Sequence, residues 1–98
     1  MSVDYKKLVE NARDALFERV ALTHTAEDVE RIKDAYFFAE KAHSSQYRKD
    51  GEPYITHPIA VARIINDDLS LGTNPVIAGL LHDVVEDTDM TFEKLSEL

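Results

Sequence analysis

Apolar residues recur every three or four positions along most of this chain, and no stretch alternates them with polar residues as a half-buried strand would. That period predicts an all-α fold, a compact bundle of about five helices. The first is expected from about Val3 to Ala21, on Leu8, Ala12, Ala15, Leu16 and Val20. The second follows "THTAED", where Thr25 with Asp28 resembles an N-terminal cap. It runs to about Ser44 on Val29, Ile32, Tyr36, Phe37 and Ala39. The polar loop "SSQYRKDGEPYITH" comes next, punctuated by Gly51 and Pro53.

Pro58 suits the start of a third helix, because its missing N–H is not needed there. Ile59, Val61, Ala62 and Ile65 supply that helix's apolar residues. Pro75 opens a fourth behind Thr73 or Asn74, with Val76, Ile77, Leu80, Leu81 and Val84 on its face. Thr91 caps a short fifth helix, inside which the chain stops, so it reads as cut from something longer.

Charge narrows the functions that such a bundle can serve. The formal net charge is −8 over 98 residues, which argues against a nucleic-acid surface built from clustered lysine and arginine. The same field repels an anionic substrate unless local cations offset it. The compact basic cluster is "YRKDGEPY", with Arg48 and Lys49. There is no cysteine, hence no disulfide, thiol nucleophile or thiolate metal site. "MSVDYKKLVE" is polar where a signal peptide needs an apolar core, and no apolar run is long enough to span a membrane. A soluble cytoplasmic protein with neither nucleic acid nor membrane as partner is the expectation.

The unusual stretch is "LLHDVVEDTDMT", Leu80 to Thr91, one histidine and four acids beside a strongly apolar helix face. Burying such charge is costly unless it is paired, hydrogen-bonded or bound to a metal. His82 and Glu86 share a helix face, as do Asp83 and Asp87. Adjacent His82 and Asp83 point about 100° apart and can flank one ion. Acids at a helix C-terminus also oppose its dipole. A solvated, charged helix end has the same spacing, so two readings stand at this point. His57, just before Pro58, adds a second imidazole. Two imidazoles with one carboxylate form a set that suits Mn²⁺, Fe²⁺ or Zn²⁺, and such a centre makes water a nucleophile near neutral pH.

Two blocks occur in order: "RKDGEPYITHPIAVARII" and "AGLLHDVVEDTDMT". Together they resemble the hydrolase domain of the Rel/SpoT family, which makes and degrades the alarmone (p)ppGpp. The resemblance is strongest over residues 35–98, and residues 1–98 then read as one domain, the N-terminal portion of an HD-type hydrolase domain. It implies that His57, His82 and Asp83 are metal ligands, with Mn²⁺ the usual ion. It implies that Glu86 and Asp87 activate or position the attacking water, and that Arg48 and Lys49 meet the nucleotide. The implied reaction removes the 3′-pyrophosphate from guanosine tetra- or pentaphosphate, leaving GDP or GTP. Arg48 offers bidentate phosphate contacts and Lys49 a point charge.

The family also has a further aspartate ligand well beyond these blocks, which this chain does not reach, so a weak or inactive hydrolase is expected of it alone. Asp50 is a departure that slightly weakens phosphate attraction. Tyr47 and Tyr54 are candidates for stacking on guanine, with packing the alternative for each. His43 reads as structural and His24 as solvated. Two other readings stand beside the hydrolase: another HD-superfamily nucleotide phosphohydrolase, or a non-catalytic helical module that regulates or pairs as a homodimer through exposed apolar surface.

Overall fold

The first two helices start where a side chain provides for the first amides. In a computed structural model that describes residues 4–84, Asp4 accepts the Lys7 amide at 3.1 Å and opens α1, Tyr5–Thr23. Thr25 accepts the Asp28 amide at 3.2 Å and opens α2, Ala26–Ala42. Both satisfy donors that a helix leaves without internal partners. After the loop come α3, Thr56–Arg63, and then a π-helical turn, Ile64–Asp68. The last described helix, α4, is Thr73–Leu81. Among the described residues the one extended pairing is an isolated bridge between Tyr47 and Pro53, so the fold is all-α as expected. The fifth helix expected from Thr91 lies outside the described residues.

The apolar stripes meet in one core. Leu16 and Val20 from α1, Ile32, Tyr36 and Ala39 from α2, Ile59 and Ala62 from α3, and Val76 and Leu80 from α4 are all buried. Gly79 lets α3 and α4 come close: a Cβ there would sit 2.7 Å from Ile65 Cδ1 and 3.3 Å from Val61 Cγ1. The start of α3 thereby faces the end of α4, where the conspicuous residues lie.

Four sequence expectations change. Phe37 is 47% exposed and Leu8 40%, because their helices have the core on one side only; Phe37 instead meets Phe17 and Tyr36 edge to face. The third helix does not stay α-helical: it widens at Ile64, and the Leu69 amide reaches back to the Ile64 carbonyl at 3.1 Å. Ser70, at φ 51°, leads the chain out of that turn. Neither Thr73 nor Asn74 caps α4, which begins after Gly72. Thr73 spends its hydroxyl on Asp28 of α2, 3.1 Å away, and Asn74 accepts from Arg31 at 2.8 Å.

The fourth change concerns His24, which is not simply solvated. Its Nδ1 lies 2.8 Å from Thr73 Oγ1 and its Nε2 2.8 Å from Asn66 Oδ1. The α1–α2 corner is thus stitched to the π-helical turn and the start of α4. Nothing in the local sequence around His24 signals those partners, which come from elements more than forty residues away.

Candidate metal centre

α4 ends at Leu81, so His82 and Asp83 sit in the turn that follows it rather than inside a longer helix. His82 Nδ1 lies 2.6 Å from the Gly79 carbonyl oxygen. In a continuing α-helix that oxygen would accept the amide of Asp83. The imidazole competes for it at the point where the helix stops. His57 comes from the second position of α3, whose entry is tied back by Thr56 Oγ1 donating to the Pro53 carbonyl at 2.9 Å.

These three residues converge. One nitrogen from each histidine and one oxygen of Asp83 all lie within 4.8 Å of one another. His82 Nε2 is 2.8 Å, and His57 Nε2 3.6 Å, from Asp83 Oδ2. The Asp83 side chain is only 13% exposed, against 37% for each imidazole.

The donor set fits a cation. A carbonyl oxygen only accepts, so His82 Nδ1 carries the hydrogen, and in the neutral ring Nε2 is a bare lone pair. That lone pair faces a carboxylate oxygen at hydrogen-bond distance, an arrangement that calls for a proton or a metal ion. A histidine whose other nitrogen donates to a backbone carbonyl is the usual form of a ligating imidazole.

The basic loop folds beside this cluster. Tyr47 and Pro53 form its narrow base, the Arg48 amide donates to the Glu52 carbonyl at 2.7 Å, and Gly51 turns the tip at φ +90°, a conformation that favours glycine. Asp50 accepts the Glu52 amide at 2.9 Å, so this departure from the family pattern helps to close the turn. Arg48 and Lys49 are exposed, and neither pairs with an acid among the described residues. Together with Tyr47, Asp50, Tyr54 and His57 they line a cleft of about 530 Å³. His57 therefore belongs both to this cleft and to the three-residue cluster.

Not every expected residue is placed. Glu86 and Asp87 lie outside the described residues. His43 is 2% exposed, with Nδ1 2.5 Å from Gln46 Oε1, and stands outside the cluster. Tyr47 is 64% exposed and is not a packing residue. Tyr54 does more than pack: its hydroxyl donates to Asp83 Oδ2 at 2.6 Å. No periodicity or spacing in the sequence signals that contact.

Similarity to known proteins agrees with this geometry. Residues 35–98 match the HD domain family model. The chain is 46% identical over 79 residues to a GTP pyrophosphokinase of Myxococcus xanthus, covering 81% of this chain and 10% of that protein. It is 46% identical over 77 residues to the bifunctional (p)ppGpp synthase/hydrolase SpoT of Escherichia coli, covering 78% and 11%. A guanosine-3′,5′-bis(diphosphate) 3′-pyrophosphohydrolase of Aquifex aeolicus is also 46% identical, over 76 residues and with the same coverage. The chain spans about a tenth of the length of these curated relatives. HD domains are metal-dependent hydrolase domains, and a His–His–Asp group able to hold an ion is present here. The chain belongs to the HD domain family, and within it to the Rel/SpoT type that these relatives represent.

Proposed function

We propose that this chain is the N-terminal portion of a cytoplasmic (p)ppGpp hydrolase domain, with Mn²⁺ held by His57, His82 and Asp83. The observation that carries the reading is the shared position of His57, which joins the candidate ligands to the cleft containing Arg48 and Lys49. The names of the similar proteins suggest the substrate, guanosine tetra- or pentaphosphate. A bound divalent ion supplies Lewis acidity toward phosphoryl oxygens and water.

The chain's own residues supply the rest. Arg48 and Lys49 offset the substrate's charge against a net −8 field. Glu86 and Asp87 take the proton of the attacking water. Water adds to the phosphorus attached to the ribose 3′-oxygen, the bond to that oxygen breaks, and the oxygen regains a proton. The products are pyrophosphate and GDP or GTP.

Binding is the direct test. With Mn²⁺ present, calorimetry is expected to show guanosine tetraphosphate binding in preference to GTP, with the preference lost in Arg48→Ala. Equal binding of both nucleotides, or no effect of Arg48→Ala, would overturn the substrate assignment.

A further inference from the structure

Tyr54 stands where two of the three candidate ligands meet. Its hydroxyl donates to Asp83 Oδ2 at 2.6 Å, and its ring lies 5.8 Å from the His57 ring at 60°. The His43 ring packs against it with 4.9 Å between centroids. His43 is itself held: it is 2% exposed and bonded through Nδ1 to Gln46. The backbone is fixed too, since the Tyr54 amide donates to the Gln46 carbonyl at 3.0 Å and the His57 amide to the Tyr54 carbonyl at 2.9 Å. The phenol is therefore a rigid donor.

Asp83 needs such a donor. It lies beyond the end of α4, and its side chain is only 13% exposed. A carboxylate in that setting carries a desolvation cost and, left alone, turns toward water. A short O–H···O⁻ bond offsets the cost and selects which oxygen faces the two imidazoles. It uses one lone pair of Oδ2 and leaves the other available. Outer partners of this kind tune ligands in metal sites generally.

We propose that Tyr54 is a positioning residue that presents Asp83 Oδ2 to the metal ion. The inference rests on the metal-centre reading above. Its test is Mn²⁺ calorimetry on this chain and on Tyr54→Phe, His82→Ala and His24→Ala. Phenylalanine keeps the ring against His43 and His57 and removes only the donor. Tyr54→Phe is expected to raise the Kd for Mn²⁺ about 10- to 100-fold, with helical circular dichroism unchanged. His24→Ala loosens the fold at the other end of α4 and is expected to leave the Kd in place. If Tyr54→Phe binds like the wild type while His82→Ala does not bind, the centre stands and the role of Tyr54 is refuted. If His24→Ala weakens binding as much as Tyr54→Phe, general loosening explains both and the proposal falls. Unchanged binding in His82→Ala, or none in the wild type, would remove the centre itself.

Discussion

His57 and His82 stand with ring centroids 5.3 Å apart, although one begins α3 and the other follows the end of α4. Their meeting depends on the close α3–α4 approach at Gly79 and on the turn that ends α4. His82→Ala is therefore expected to abolish Mn²⁺ binding while leaving the helices formed, since the side chain is 37% exposed and outside the core. Calorimetry with circular dichroism on the same samples checks both halves. Unchanged affinity would mean that His82 is no ligand.

The basic loop separates charge from geometry. Arg48 and Lys49 are both exposed and free of acidic partners among the described residues. Charge-assisted hydrogen bonds contribute about 1.5–3 kcal/mol each. Arg48→Ala should then weaken guanosine tetraphosphate binding by ~10- to 100-fold. Arg48→Lys should recover only part of the loss, because an ammonium cannot make the planar two-point contact. Full recovery by lysine would show that only net charge matters there.

The His24 network predicts a stability effect far from the chemistry. Replacing His24 by alanine removes two part-buried hydrogen bonds, although Thr73 keeps its bond to Asp28 and Asn66 its bond to Asp67. The expected loss is about 1–3 kcal/mol of unfolding free energy. Thr73→Val should show strong non-additivity with it in a double-mutant cycle, because the two share one hydrogen bond. Independent effects in urea titrations would contradict the network.

Leu80 is fully buried and lies two residues before His82. Leu80→Ala should cost about 2–5 kcal/mol through lost burial and the cavity left behind. That is a large share of the 5–15 kcal/mol typical of folded domains. Thermal unfolding should show a sharply lowered midpoint, and Mn²⁺ should restore part of it by binding the folded form only.

Tyr36 gives an alkaline signature. Burial first, then the hydrogen bond to Glu40 at 2.6 Å and the charge of Glu40, push its phenol well above the ordinary tyrosine range. A raised folded-state value means that its contribution is fully present below the unfolded value, about 10. That contribution is lost as pH rises from there toward the folded-state value. Urea unfolding between about pH 8 and 11 should therefore show stability falling more steeply in the wild type than in Tyr36→Phe. Parallel curves would mean that Tyr36 does not drive the loss.

Much of the fold was legible because helix formation leaves local marks. A 3.6-residue apolar period, the Thr25 cap and the Pro58 and Pro75 entries need no knowledge of distant residues. The ligand candidates were equally visible, since histidine beside aspartate in an apolar helix end is chemically unusual wherever it occurs. What local marks misjudge is exposure. Phe37 and Leu8 have the right period but sit at the margin of a single core. The α-helical period also carries no warning of the π-helical turn at Ile64, which places Asn66 against His24.

Taken alone, the sequence determined the class of fold, the capped start of the second helix and which residue types are available for metal and phosphate chemistry. These follow from the backbone's local hydrogen-bonding needs and from side-chain identity. Only the tertiary structure decided that His57 reaches the His82–Asp83 pair, that Tyr54 holds Asp83, and that His24 is a structural bridge. Each is a contact between separate elements, set by how closely helices pack and where they end, and no pattern of neighbours along the chain encodes that distance.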